Sequence, residues 1–173
     1  KSEDYAIKLA TDLIDNFQNI YEDKWLKMMK NKLGLFGDNK NDKKLITDLL
    51  DWMEKNKADY TNTFCYLMGI NSKNIIYKHH DFQNWINQWK KRSELNNQSK
   101  EKQFELMKLH NPVIIPRNHI VEKALAEAEK GNLEDMEKLL SILKDPYVHE
   151  GIIEEYQMPA PESKQKYQTF CGT

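Results

Sequence analysis

Residues 110–119 read HNPVIIPRNH, and this stretch decides how the second half of the chain folds. Pro112 and Pro116 have no amide proton to donate, and each biases the residue before it toward extended geometry. No helix therefore crosses the stretch, and we expect a stiff, apolar, extended segment. Asn118 follows the second proline and is predicted to be the N-cap of a new helix, because its side chain can accept a hydrogen bond from a free amide.

Two helices are predicted after this segment. The first carries apolar residues at the 3.6-residue helical period, at Ile120, Val121, Ala124, Leu125 and Ala128. Gly131 is predicted to close it as the residue after the C-cap, and Asn132 to cap the second helix. Asp145-Pro146 stops that second helix. Its buried face is predicted to comprise Met136, Leu139, Leu140 and Leu143. The sequence therefore predicts an α-hairpin, which we expect to be the stability centre of the chain.

Helical periodicity also dominates residues 1–109. An apolar stripe that starts at Ala6 and continues through Trp25 and Met29 predicts one long helix, ended by Gly34. Trp25 and Met29 are predicted to lie in the core. Residues 71–80 lack a pattern and are predicted to form a loop. No segment shows strand alternation, so we expect an all-α fold of roughly six to eight helices. Asp42 and Asp81 are predicted to cap further helices, one helix is predicted to follow Asp59, and another is predicted to start at Ser99.

Length and charge limit the classes of function. The 173 residues can bury a core as one domain, which we place at 1–147, followed by an irregular tail at 148–173. Twenty-six basic and 27 acidic residues give a net charge of −1, which argues against nucleic acid or an anionic membrane as the main partner. No apolar run reaches transmembrane length. The chain begins at Lys1 inside a helical pattern, so we expect it to be part of a longer protein.

Few residues are candidates for chemistry. No Gly-rich phosphate loop, nucleophile elbow, Cys-x-x-Cys pair or His-Glu-x-x-His motif is present, and the five histidines lack metal-ligand spacing. The polar turn at 37–42 lacks the ligands of a calcium loop. Arg117 could clamp a phosphate or a carboxylate, or it could tie loop carbonyls and a helix acid together. Cys65 and Cys171 cannot form a disulfide framework, and Cys65 is predicted to be buried. We therefore predict no catalytic, cofactor or metal site in the chain itself.

Several segments resemble the selenoprotein O family, also called the YdiU-like or UPF0061 proteins. Residues 111–147, NPVIIPRNHIVEKALAEAEKGNLEDMEKLLSILKDPY, are similar to its C-terminal portion, where an Asn-Pro…Arg-Asn segment leads into a helix pair. Residues 25–35, WLKMMKNKLGL, resemble a helix end of the family, and residues 59–64, DYTNTF, resemble another of its segments. Cys171 stands third from the end, where family members carry cysteine or selenocysteine.

This resemblance implies a function for a longer parent protein. Members have a protein-kinase-like fold with the nucleotide bound in a flipped orientation, and they transfer AMP from ATP to protein hydroxyls. The ATP-binding lysine, the catalytic aspartate and the metal-binding residues lie upstream of the matched region. The resemblance therefore implies ATP with Mg²⁺ or Mn²⁺ as cofactors of the parent. This chain would be the distal helical part of the kinase-like C-lobe plus an extension.

The same resemblance implies partners and a role for the tail. The expected partners are the upstream catalytic domain of the same protein and the protein substrates of the parent. Relatives use the cysteine at the position of Cys171 in a reversible bond with a cysteine of the catalytic domain. The implied location is the cytoplasm for a bacterial protein, or the mitochondrion for a eukaryotic one. Two other interpretations stay open, namely a freestanding helical interaction module and a small helical enzyme whose site the sequence hides.

Overall fold

The computed structural model describes residues 2–70, 74–151 and 154–161, and it confirms an all-α fold. Over these residues the chain forms eight α-helices and one turn of 3-10 helix, with no strand. The α-helices are α1 Glu3–Lys32, α2 Asp42–Asn56, α3 Tyr60–Leu67, α4 His80–Ser93, α5 Lys100–His110, α6 Asn118–Glu129, α7 Glu134–Leu143 and α8 Glu154–Gln157. The 3-10 turn, Ile75–Lys78, lies in the region that we expected to be a loop, and it forms because Tyr77 is buried in the core.

The first core lies between the C-terminal half of α1 and helices α2, α3 and α4. Aromatic rings form much of it: Trp52 packs on Phe82 with 4.3 Å between ring centroids, and Tyr66 stacks on Tyr77 at 4.2 Å. The indole nitrogen of Trp85 donates to the Leu45 carbonyl at 2.8 Å, so this buried ring also satisfies its polar atom. This core fixes the relative positions of α1, α2 and α4.

The second core lies around the extended segment 111–117 and includes α3, α5, α6, α7 and α8. Its buried members are Cys65, Met68, Met107, Val113, Ile114, Ala124, Leu139 and Tyr156. Asn111 is fully enclosed, and its amide donates to the carbonyls of Lys32 and Met107, both at 2.8 Å. The predicted extended segment is therefore confirmed, and it packs in the interior because side chains and neighbouring backbone satisfy its polar groups.

The long helix α1 has two apolar faces, whereas the sequence predicted one. Trp25, Leu26 and Met29 pack in the first core near the C-terminal end of α1. Apolar residues between Leu9 and Tyr21 are at least 46% exposed. A helix turns about 100° per residue, so Phe17 and Met29 point about 120° apart. The predicted continuous stripe was wrong, because it merged two faces that differ by a third of a turn.

Some helix boundaries were predicted correctly. Asp59 caps α3, where its carboxylate accepts from the Asn62 amide at 2.8 Å, and Ser99 caps α5. Gly131 follows the C-cap of α6 with a φ of +89°, a backbone conformation that favours glycine. These three positions confirm that local capping chemistry governs these ends.

Other predicted caps were wrong. Arg117 is the N-cap residue of α6, not Asn118, and Leu133 is that of α7, although the Asn132 side chain still accepts from the Glu134 amide at 3.1 Å. Helix α4 begins at His80, one residue before Asp81. Asp42 is the first residue of α2 and lies inside it, because its carboxylate is bound by an arginine from α4.

The face of α7 also differs from the prediction in one residue. Leu139 is 4% exposed, and Met136, Ile142 and Leu143 pack around it. Leu140 was expected to be buried but is 55% exposed. The residues of α7 that pack against the core are spaced at i, i+3 and i+6 or i+7. Leu140 lies at the edge of that row. Past the hairpin, α8 packs Tyr156 into the same core.

Candidate functional site

The only two arginines of the sequence are both buried, and each forms a bidentate pair with an aspartate. Arg92 of α4 donates through Nε to Asp42 Oδ1 at 2.6 Å and through Nη2 to Asp42 Oδ2 at 3.1 Å. Nη2 also donates to the carbonyls of Phe36 and Gly37 at 3.0 and 3.3 Å. This arrangement ties the α1–α2 connection to α4. Arginine suits it because its planar fork matches a carboxylate in a dry site.

Arg117 forms the second pair at the end of the extended segment. Its Nη1 donates to Asp59 Oδ2 at 2.7 Å, and its Nη2 donates to Asp59 Oδ1 at 3.1 Å and to Asn62 Oδ1 at 3.3 Å. The side-chain amide of Asn62 then donates through Nδ2 to the backbone carbonyl of Gln157 at 2.9 Å. Both nitrogens at the tip of Arg117 therefore hold α3 and α8 in place. Only its Nε lacks a partner within the described residues.

A partly buried lysine lies near the second core. Lys32 Nζ is 4.8 Å from the centre of the Phe64 ring and donates to the His110 carbonyl at 3.1 Å. Burial lowers the pKa of Lys32. The cation–π contact and the carbonyl offset part of the cost of removing its charge from water. This lysine links α1 to the end of α5.

Cys65 has the environment of an unreactive thiol. It is fully buried on α3, and its Sγ is 3.8 Å from the Pro112 carbonyl. Burial raises the pKa of its thiol to about 11, so the thiol is protonated at neutral pH. Because the thiolate is the reactive form, this cysteine is unsuited to nucleophilic or redox chemistry in the folded chain. Its predicted burial is confirmed.

The described residues offer no metal-binding constellation. No group of three or more His, Cys, Asp or Glu side chains comes close enough there to hold an ion. A cavity of about 600 Å³ lies between α4 and α5, with Trp89, Ser93, Gln103 and Phe104 in its wall. Its wall also carries three charged residues, Lys90, Glu94 and Lys100. None of the helices in the described part is both long and apolar enough to cross a membrane.

Comparison with known proteins identifies the chain. The family model for "Protein adenylyltransferase SelO" matches residues 5–144. The chain belongs to the SelO family. Relatives named "Protein nucleotidyltransferase YdiU" are 50% identical over 173 residues in Pelagibacter ubique strain HTCC1062 and 44% identical over 175 residues in Bacillus cereus strain AH820. These alignments cover 99% and 100% of this chain but only 36% of each relative.

The residues matched by the family model, 5–144, include Arg117 but not Cys171, the other residue singled out from sequence. Arg117 lies at a carboxylate that belongs to the protein itself, and Cys171 lies outside the described residues. Neither the pair of Arg92 and Asp42 nor the second apolar face of α1 was predicted from the sequence. The rarity of arginine among the basic residues was a signal for the first, because a bidentate buried site discriminates between arginine and lysine. The second face could have been found by comparing the helical-wheel angles of the apolar residues between Ala6 and Met29.

Proposed function

We propose that this chain is the helical supporting part of a longer SelO-family enzyme that transfers AMP from ATP to hydroxyl groups of proteins. The observation that carries the proposal is the match of residues 5–144 to the adenylyltransferase family, together with 50% identity to a nucleotidyltransferase over essentially the whole chain. The relatives are much longer than the matched region, so there is room for the catalytic groups elsewhere in such a protein.

The chemistry of AMP transfer supports a supporting role for this chain and a catalytic role for the rest of the protein. Transfer from ATP depends on positioning the phosphates with a cation and on carboxylate or amide ligands for Mg²⁺ or Mn²⁺. No group of three or more His, Cys, Asp or Glu side chains comes together in the described part of this chain. Both buried arginines already form ion pairs within the chain, Arg92 with Asp42 and Arg117 with Asp59. We therefore assign ATP and metal binding to the rest of the parent protein, and rigid support of that part to this chain.

A replacement experiment tests the proposal. In the Pelagibacter ubique relative, the region matched by this chain would be deleted, or replaced by this chain, and AMP transfer from labelled ATP to a protein acceptor would be measured with Mg²⁺ and with Mn²⁺. We expect the deletion to abolish transfer and the replacement to restore it. Full transfer by the deleted protein would contradict a supporting role. It would favour the other interpretation of the sequence, a freestanding helical interaction module.

We also propose that Cys171 acts as a redox residue in the parent protein. Its thiol would form a disulfide with a cysteine outside this chain, releasing two protons and passing two electrons to an oxidant such as a small-molecule disulfide. Cys65 is a poor partner because it is enclosed and its thiol has a raised pKa. Thiol counting with and without reductant tests this. We expect one accessible thiol in this chain alone, and the loss of that thiol in the oxidised replacement protein. A Cys65–Cys171 bond, or a thiol at Cys171 that persists after oxidation of the replacement protein, would contradict it.

A further inference from the structure

The first five turns of α1 present an apolar surface that the rest of the described chain does not cover. We call the stripe formed by Leu9, Leu13, Ile14, Phe17, Ile20 and Tyr21 the α1 stripe. Its side chains are between 46% and 73% exposed. Met28, which is 40% exposed, extends the same row to the edge of the folded body. Large contiguous apolar surfaces of this kind are uncommon on proteins that act alone and mark places where another surface binds.

Charge is arranged around the stripe as on a helix that is buried along one side. Between Ala6 and Tyr21 the charged residues are Lys8, Asp12 and Asp15. At about 100° per residue, all three lie at least about 140° away from the centre of the stripe near Phe17. Helix α1 is therefore amphipathic over its exposed half, although the described chain offers no surface against its apolar side.

The stripe is also separate from the core that already holds α1. Phe17 and Met29 point about 120° apart, so the stripe faces away from the side on which the first core packs. From Leu9 to Met28 the row runs about 29 Å at 1.5 Å per residue. A surface of this length suits another domain or a pair of helices better than it suits a small molecule.

We infer that the α1 stripe is the docking surface for the remaining part of the longer SelO-family protein. This inference rests on the proposed function. The curated relatives match this chain over 99–100% of its length, yet the match fills only 36% of theirs, so such a protein has a large body of residues available to cover the stripe. The stripe lies on the part of α1, residues 3–21, in which every residue is exposed. The alternative occupant is a second copy of this chain, which the experiment below distinguishes.

Hydrogen exchange along α1 tests the inference directly. Amides of residues 9–21 would be followed in this chain alone and in the replacement protein, in which it takes the place of the matched region of the Pelagibacter ubique relative. We expect exchange to slow by at least about tenfold in the replacement protein, because docking suppresses local opening of the helix. Equal exchange rates in the two proteins would overturn the inference. So would protection in the isolated chain that increases with its concentration, since that would identify a second copy as the occupant.

Substitutions on the two sides of the helix provide matched controls. Phe17→Asp should remove the protection of α1 in the replacement protein and leave exchange in α6 and α7 unchanged. Asn19→Asp places the same charge on the opposite side of the same helix and should leave α1 protected. Loss of protection in both variants, or in neither, would contradict docking through the stripe.

The two proposals can fail separately. An active replacement protein with an unprotected α1 overturns the docking inference alone, whereas a protected α1 without AMP transfer overturns the proposed function. If the replacement protein does not fold, the same hydrogen-exchange comparison is made on the natural relative. Its helix matching α1 should be protected in the whole protein and exchange at least about tenfold faster in the isolated matched region.

Discussion

Replacing Arg92 by methionine should cost this protein a large part of its stability. The substitution keeps an unbranched side chain but leaves the Asp42 carboxylate buried without its bidentate partner. The two side chains are 8% and 2% exposed, so the pair belongs to the buried class of ion pairs. Removing one partner of such a pair costs about 3–5 kcal/mol, because the other charge stays in a poorly solvated site. A domain of this size has a total stability of about 5–15 kcal/mol.

The assay is urea denaturation followed by circular dichroism, with wild type and variant measured side by side. The matched control is Lys43→Met, which removes the exposed pair with Glu22, whose side chains are 59% and 45% exposed. An exposed pair of this kind contributes about 0–1 kcal/mol. The double variant Asp42→Asn with Arg92→Met should be more stable than Arg92→Met alone, because it removes the buried carboxylate charge that has lost its bidentate partner and keeps only Lys30, 3.7 Å away, as an ion-pair partner among the described residues. A cost for Arg92→Met no larger than that of the control would refute the reasoning.

Three further predictions concern the core, a buried thiol and a glycine turn. Leu139→Ala should cost about 2–5 kcal/mol and Leu140→Ala about 0.5 kcal/mol in the same denaturation assay, since only the first is buried; the reverse order would contradict the orientation of α7. Burial raises the pKa of Cys65 to about 11, so as the pH rises above about 9 the unfolded chain loses this proton before the folded one does, and the folded state loses stability. Relative to Cys65→Ala, the wild type should therefore lose about 2 kcal/mol between about pH 9 and pH 11, and parallel pH profiles would contradict the burial of this thiol. Gly34 and Gly37 both have positive φ, but a Cβ on Gly34 would lie 2.9 Å from a backbone oxygen, whereas one on Gly37 would meet nothing within 4 Å. Gly34→Ala should thus destabilise the protein by about 1–3 kcal/mol more than Gly37→Ala, and equal costs would exclude the predicted clash.

The helices were predictable because each one has a local cause. The 3.6-residue apolar period placed all of the long elements, and Pro112 and Pro116 predicted the extended segment between α5 and α6. Capping by Asp59 and Ser99 was also predictable, since in both cases the side chain accepts from the backbone amide three residues ahead. These features depend on neighbours in the sequence, so the sequence alone contains the information.

The features that were missed depend on distant partners. Asp42 looks like a helix cap in sequence, but Arg92, 50 residues away, takes its carboxylate. Leu140 and Leu139 have the same hydrophobicity, and only the position of α6 decides which of them is buried. The period along α1 was real, yet periodicity cannot tell whether one face or two will be covered. Tertiary contacts decide these cases. Under the proposed function, the residues that cover the α1 stripe lie outside this chain.

The most direct test of the central claim is an AMP-transfer assay on this chain alone. The chain would be incubated with labelled ATP, Mg²⁺ or Mn²⁺ and a generic protein acceptor, beside a boiled sample and the intact Pelagibacter ubique relative. Our account assigns the catalytic groups to the rest of the protein, so it predicts labelling by the intact relative and none by this chain above the boiled control. Metal-dependent AMP transfer by this chain would contradict the account, because it would place a complete active site within these 173 residues.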